Sequence, residues 1–286
     1  MSQAVVSEAI ITTPSGPSNT DRRTRARWQR IRHRGFVTAV QILVLAAFLT
    51  LWEVGSGRWI DGFFISKPSL IADTWWKWLL SGELWFHAQS TLATAGLGFV
   101  AGCVAALVVG YVLGGAARLA EVFEPFITGI YSLPKIALVP LLVMWVGVGA
   151  PLQITIAAMV TFFLMFYNTF FGVRDVNRAL VDSVRIMGAN RFTIALRVRI
   201  PSALVWVVAG LKLAVPQALI AAVVGEILAS NRGLGHLVAS NAGQFNTAGT
   251  FAALFSLLIV GLVVDRLVTV VTRRAMAWRQ VLVSGR

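Results

Sequence analysis

The most polar stretch between two long apolar segments of this chain runs from Asp175 to Pro201, DVNRALVDSVRIMGANRFTIALRVRIP. Four apolar residues near its start recur at helical spacing: Val176, Leu180, Val184 and Met187. Asp182 falls on another face, within helical reach of Arg178 and Arg185. This pattern predicts an amphipathic helix that exposes both charge and apolar surface to a docking partner. A solvated surface loop without a partner is the alternative that the periodicity leaves open.

Three further residues predict where helices begin and end in this stretch. Gly188 suits the position just past the end of a helix, and Asn190 can cap the start of a second short helix. Pro201 suits the first turn of the long apolar helix that follows. The stretch is therefore predicted to contain a helix, a glycine break, a short helix and a proline at the start of the next segment.

Composition places these elements in a membrane protein. Apolar residues make up 57% of the 286 residues and charged residues only 13%, whereas about a quarter of a typical soluble domain is charged. The formal net charge of +13 could indicate nucleic-acid binding. However, seven arginines between Arg22 and Arg34 immediately precede the first apolar segment, which is typical of the cytosolic side of membrane proteins. We therefore predict an all-α polytopic membrane protein that does not bind nucleic acid.

Six apolar stretches are long enough to cross about 30 Å of hydrocarbon. They are Phe36–Trp52, Thr94–Ala116, Val122–Val146, Leu152–Phe171, Ala203–Leu228 and Thr250–Val271. The predicted organisation is a disordered basic cytosolic tail at residues 1–35, a transmembrane domain at 36–272 and a cytosolic tail at 273–286. The polar loop at 174–201 then joins two spans.

The distribution of cations predicts the orientation. With the N-terminus inside, 18 lysines and arginines lie in cytosolic segments, 4 lie outside and the remaining 3 lie within predicted spans. This asymmetry predicts that both termini are cytosolic. Two pairs of glycines in the second span, Gly98 with Gly102 and Gly110 with Gly114, form GxxxG motifs that allow helices to approach closely. We expect packing within the chain from these motifs rather than a dimer seam.

The third span contains the residues that could line a transport path. Prolines remove backbone donors, and broken helices occur in membranes where the backbone lines a cavity or is covered by protein. We therefore predict that Pro134, Lys135 and Pro140 line the path, together with Glu226 of the fifth span. A kinked helix that only packs is the alternative, and Lys135 could simply extend to the membrane surface or pair with an acid such as Glu226.

Motifs for chemistry on this chain itself are missing from the sequence. There is no GxxxxGK[ST] phosphate-binding loop, so we expect no ATP hydrolysis by this chain. The single cysteine, Cys103, and three scattered histidines have no metal-ligand spacing. The chain is predicted to be a transport subunit rather than an enzyme, with no metal or cofactor of its own.

The polar loop resembles the cytoplasmic EAA loop of ABC-importer permeases, whose pattern is EAA, three residues, Gly, nine residues, Ile, one residue and Leu-Pro. Asp182, Ser183 and Val184 stand where that family has Glu, Ala and Ala. Gly188 and Pro201 are identical to the pattern, and the spacing is complete. The resemblance implies seven residues that couple this chain to an ATPase: Asp182, Ser183, Val184, Arg185, Gly188, Ala189 and Pro201.

The resemblance extends from about Leu51 to Val271. SLPKIALVPLLVMWVGVG, SGELW, MGANRF and AVVGEILASNRGLGHLV look like stretches of permeases for nitrate, sulfonate, taurine and bicarbonate. It implies a type I ABC importer permease fold in the bacterial plasma membrane, among membrane lipid. It also implies a second permease copy as a homodimer, two ATP-binding subunits that carry ATP and Mg, and an extracytoplasmic solute-binding protein. The expected substrate is a small anion such as a sulfonate or nitrate.

Two other classes remain as alternatives. A self-sufficient secondary transporter would need a coupling-ion site, and buried carboxylates are few. A membrane-embedded enzyme would need a catalytic cluster, for which the sequence offers no convincing candidate.

Overall fold

The computed structural model describes residues 19–275, which form twelve α-helices with one short 3₁₀ turn and one π turn. The chain divides into two compact units, residues 1–59 and 60–286. The first unit contains helix α1, Asn19–Gly55, of which Gly35–Gly55 is apolar and long enough to cross a membrane. This helix includes residues 19–35 of the predicted basic tail, and the assignment of residues 1–35 as a disordered cytosolic tail stays a prediction. The rest of the predicted tails, residues 1–18 and 276–286, lies outside the described residues.

The second unit contains the other helices. They are α2 Gly62–Ile65, α3 Pro68–Ser81, α4 Glu83–Gly115, α5 Ala117–Tyr131, α6 Val139–Val146, α7 Ala150–Arg174, α8 Arg178–Ile186, α9 Arg191–Ile194, α10 Ile200–Ala229, α11 Leu234–Gly243 and α12 Thr247–Ala275. Five stretches in the described residues are long and apolar enough to cross a membrane, and a bent pair makes a sixth. The prediction of six spans is confirmed. The second span begins at Glu83 rather than Thr94, because polar residues at its outer end are also helical.

The third span is the bent pair. Helix α5 and the segment Lys135–Val146 meet at an angle of 80°, and the break between them, residues 132–134, contains Pro134. Pro125 remains inside α5 and Pro140 lies in the first turn of α6, a position where proline is well tolerated. Only one of the three prolines therefore interrupts the span.

Helices α4 and α7 pack in parallel along a glycine seam. A methyl group on Gly98 would lie 2.6 Å from the Cβ atom of Ala157, and one on Gly114 would lie 2.7 Å from the carbonyl oxygen of Phe170. Between these points, a methyl group on Gly102 would overlap the carbonyl oxygen of Ala158, and one on Gly110 would lie 2.9 Å from the Cβ atom of Thr169. The predicted GxxxG packing within the chain is confirmed. Helix α10 covers the other side of α7, and the fully buried Leu152 and Ile156 of α7 fill the core.

The N-terminus of α11 is held by side chains of α4 and α10. Three successive backbone N–H groups at its start each find a side-chain acceptor. Gly233 donates to Nδ1 of His87 (3.1 Å), Leu234 to Oγ1 of Thr91 (2.9 Å) and Gly235 to Oε2 of Glu226 (2.9 Å). The Thr91 hydroxyl also donates to the Glu226 carboxylate at 2.9 Å. We call His87, Thr91 and Glu226 the outer latch. Their acceptor atoms satisfy backbone N–H groups that the start of a helix leaves without partners.

We predict that Gly98→Ala destabilises the chain by about 1–3 kcal/mol, because the added methyl group overpacks the seam. Gly96→Ala is the matched control. Gly96 lies on the same helix, and a methyl group there would meet no neighbouring element within 4 Å. Thermal unfolding of the purified variants in one detergent measures the difference. Equal midpoints for both variants would show that the seam does not require glycine.

We also predict that Glu226→Leu lowers the free energy of unfolding by about 1–3 kcal/mol, because it leaves buried donors without an acceptor. Glu226→Gln retains an acceptor oxygen of nearly the same shape and should lose much less. The same unfolding assay compares the two. A leucine variant as stable as the glutamine variant would contradict the outer latch as a stabilising element.

Candidate functional site

The polar loop begins with helix α8, whose two ends follow local rules. The side chain of Asn177 accepts a hydrogen bond from the backbone N–H of Ala179 at 2.9 Å and so caps the helix. At the other end Gly188 takes a φ of +85°. Its N–H donates to the carbonyl oxygen of Arg185 at 2.9 Å, and the N–H of Ala189 donates to the carbonyl oxygen of Val184 at 3.2 Å. This pair of bonds is the Schellman motif. The predicted helix and glycine break are confirmed.

The second half of the loop follows the prediction and contains one further feature, a π turn. Asn190 caps α9 by accepting from the N–H of Thr193 at 2.8 Å, as expected. However, α9 then passes through a π turn, Ala195–Arg199, directly into α10. Pro201 lies in the first turn of α10, as predicted, although the helical path before it is continuous. Its ring and missing N–H disturb the preceding turn, and a local π adjustment can re-satisfy the backbone groups that a proline frees in a membrane helix.

A small apolar cluster holds the two halves of the loop together. Its buried members are Val176, Val181, Ile194 and Val198. Val184 and Ala189, both predicted to couple to a partner, are half-buried against this cluster. Leu180 and Met187, which the periodicity assigned to one apolar face with Val184, are exposed instead. The cluster therefore fixes which surface the loop can offer.

The exposed surface of the loop is apolar at its tip. Ile186 is 87% exposed, Met187 85% and Phe192 71%. Ile186 was not among the predicted residues, because the spacing of apolar residues does not show which face of the loop is buried. We call these three residues the apolar tip.

Charged and polar residues flank the apolar tip on α8. Asp182 pairs with Arg185 at 3.3 Å, and both side chains are largely exposed. The Ser183 hydroxyl donates to the carbonyl of Ala179 at 2.7 Å. An exposed pair of this kind contributes little to stability, so its charges remain available to a partner.

Two polar contacts connect the base of the loop to the neighbouring spans. Nη1 of Arg199 donates to the carbonyl oxygen of Gly115 at the end of α4, at 3.0 Å. Arg174, at the end of α7, forms an ion pair with Glu124 of α5. A cleft of about 300 Å³ lies between α8 and these helix ends, and Arg199 lines it. A displacement of the loop would therefore reach α4 and α10 together.

The predicted path residues fall into two separate groups. Lys135 lies at the break of the third span, where its ammonium donates to the carbonyl oxygen of Tyr131 at 2.6 Å. Pro134 and Pro140 flank it in the same segment. Glu226 instead lies in the outer latch and is fully buried there. The alternative of an ion pair between Lys135 and Glu226 is wrong, and the position of Glu226 favours a structural role.

In the described part of the chain, no group of three or more His, Cys, Asp or Glu side chains could hold a metal ion. Cys103 is buried in the core between α4 and α7. The arrangement offers a surface for docking and a broken span, and neither is a set of groups for covalent chemistry.

Comparison with known proteins agrees with this arrangement. Residues 98–276 match the family described as binding-protein-dependent transport system inner membrane component. The riboflavin transport system permease protein RibX of Chloroflexus aurantiacus is 32% identical over 82% of this chain and 88% of its own length. The formylaminopyrimidine transport permease protein ThiX of Halalkalibacterium halodurans is 29% identical over 86% and 98%. A Bacillus subtilis protein named as an aliphatic sulfonates transport permease, SsuC, is 29% identical over 83% and 87%.

Solved structures show the same fold. A chain of the MetNI methionine ABC transporter, solved in an inward-facing conformation, superposes on this chain with a TM-score of 0.57 and 19% identity. The match covers 65% of this chain and 93% of the MetNI chain. A second crystal form matches with a TM-score of 0.55. The family match, the relatives and the fold together show that this chain belongs to the binding-protein-dependent transport system inner membrane components, as the multi-pass permease subunit of a bacterial ABC importer.

Proposed function

We propose that this permease imports a small organic or inorganic anion that an extracytoplasmic solute-binding protein delivers, and that it works as one of two identical copies. Two separate ATP-binding subunits, which hold ATP and Mg, bind the loop at residues 174–201. The observation that carries this proposal is the apolar tip. Exposed apolar side chains on a rigid, capped loop are typical of a surface that a partner covers.

The loop is built to transmit a displacement. The turn at Gly188 and the apolar cluster beneath it fix α8 relative to α9, and α9 continues into α10 through the π turn. Closure of the ATP-binding subunits would move the loop as one body. Asp182, Ser183 and Arg185 would then select the partner by charge and hydrogen bonding, while Val184, Ala189 and Pro201 support the loop from within.

The third span is the proposed path. Lys135 supplies the positive charge that favours an anion, and Pro134 and Pro140 shape the segment around it. Names of relatives include permeases for riboflavin, a formylaminopyrimidine and aliphatic sulfonates, so the family accommodates different solutes. The fully buried Glu226 is occupied in the outer latch, which leaves it poorly placed as the coupling-ion site of a secondary transporter.

Reconstitution tests this function. The chain alone in proteoliposomes should show no ATPase activity, because its sequence has no phosphate-binding loop. Addition of the ATP-binding subunits and the loaded binding protein should produce ATP-dependent uptake. Uptake driven by an ion gradient without the ATP-binding subunits would contradict the importer assignment.

We predict that Ile186→Glu weakens binding of the ATP-binding subunits by about 10-fold to 100-fold, since burial of such a side chain contributes about 1.5–3 kcal/mol. Ile186→Leu is the matched control and should bind normally. Co-purification and microscale titration of the two subunits measure the affinity. Unchanged affinity for the glutamate variant would remove the apolar tip from the interface.

We also predict that Gly188→Val uncouples the complex, because a β-branched residue is strained at a φ of +85°. Insertion of the permease should be normal, since the change lies outside the spans. Uptake should fall sharply while the binding protein still loads substrate. Wild-type uptake with the ATP-binding subunits still attached would show that the glycine break does not matter for coupling.

A further inference from the structure

An aromatic slot lies beside the break in the third span, between α5 and α7. Its walls are Tyr131, Phe162, Phe163, Phe166 and Tyr167, and its volume is about 160 Å³. The rings of Tyr131 and Tyr167 stack with centroids 4.7 Å apart, and those of Phe162 and Phe166 stack with centroids 5.5 Å apart. The slot is thus an apolar cavity lined by aromatic rings that pack against one another.

The size of the slot fits one small apolar group. An apolar cavity of about 150 Å³ can bind benzene in a protein interior. A single ring or a short branched alkyl group would therefore fill this slot, whereas a fused multi-ring system would not. Aromatic faces suit such a group, because stacked and edge-on rings attract each other.

A cation stands at the edge of the slot. The Nζ atom of Lys135 lies 4.6 Å from the ring centroid of Tyr131 and 5.5 Å from that of Phe163. One of its three N–H donors is used by the carbonyl of Tyr131. Among the ion pairs of residues 19–275, none includes Lys135. The ammonium group is therefore able to bind an external anion.

The depth of the slot also suits a solute in transit. Phe163 lies near the middle of α7, Ala150–Arg174, and Tyr131 of the slot is the last residue of α5 before the third span bends by 80°. Irregular backbone at membrane depth is tolerated where it is covered by protein or lines a water-filled cavity. At the bend, the aromatic slot, the ammonium group of Lys135 and the irregular backbone of residues 132–134 therefore lie close together.

We propose that the aromatic slot and Lys135 form a substrate subsite for an organic anion, with its ring or short alkyl group in the slot and its sulfonate or carboxylate on the ammonium group. This inference rests on the proposed import function and narrows it. A bare inorganic anion such as nitrate would leave the slot empty and gain nothing from its walls. The transported solute is therefore an amphipathic organic anion about the size of benzenesulfonate.

The test uses the full-length chain in lipid nanodiscs and two probes of the same shape. 4-Fluorobenzenesulfonate carries the charge, and 4-fluorobenzenesulfonamide is its neutral counterpart, so fluorine NMR titration reports both affinities. The sulfonate should bind about tenfold more tightly than the sulfonamide, because a hydrogen bond to a charged group is lost in the neutral probe. Lys135→Met should abolish this difference and Lys135→Arg should retain it.

Two further variants complete the design. Lys212→Met removes a cation from α10 and is the matched control, which should bind both probes like the unchanged chain. Ile130→Trp should block both probes, because Ile130 lines the slot and a larger ring would fill it. Thermal midpoints of all variants identify any loss of folding.

Three results would overturn the subsite. One is equal binding of the sulfonate by the chain with and without Lys135. Another is competition by nitrate as effective as competition by benzenesulfonate. The third is failure of both probes to bind the unchanged chain, as expected if lipid fills the slot or if Lys135 only caps α5. Because these measurements need no ATP-binding subunit, they are independent of the co-purification assay that tests the importer assignment.

Discussion

The close approach of α4 to α7 is the constraint on which the rest of the structure depends. Two spans can touch backbone to backbone only where side chains are absent, and four glycines of α4 supply that surface. Helix–helix contact in lipid gains little from the hydrophobic effect, so tight packing must provide the attraction. Helix α10 then covers α7, and the three helices form the core. The broken third span and the polar loop are both attached to this core.

The two ends of that core are fixed by different chemistry. At the outer end, Glu226, Thr91 and His87 accept three successive N–H groups of α11. At the cytosolic end, Arg199 joins the base of α10 to the last turn of α4 through Gly115. The core can thus respond to the loop as one body, while the segment around Lys135 is free of these contacts. The loop and the core are thus held together by these contacts, and the bend, which we propose as the solute path, lies outside them.

The sequence predicted those features that depend on neighbours along the chain. Gly188 acts through its own backbone and Asn190 through a side-chain bond to a residue three positions away, so their roles at the ends of α8 and α9 were correct. The exposure of Ile186 was missed, because it depends on Ile194 and Val198 packing beneath α8. Glu226 was assigned to the path, because its partner Thr91 lies 135 residues away and spacing gives no sign of it. The predicted coupling roles of the loop residues stay predictions.

The central claim is that the apolar tip contacts an ATP-binding subunit on the cytosolic side. A photo-crosslinking amino acid placed at Ile186 in intact cells tests it most directly, with the same group at Phe245, an exposed residue at the outer end of the bundle, as the comparison. The account predicts a covalent adduct with the ATP-binding subunit from position 186 and none from position 245. An adduct from position 245, or none from position 186 in a complex that transports, would contradict it.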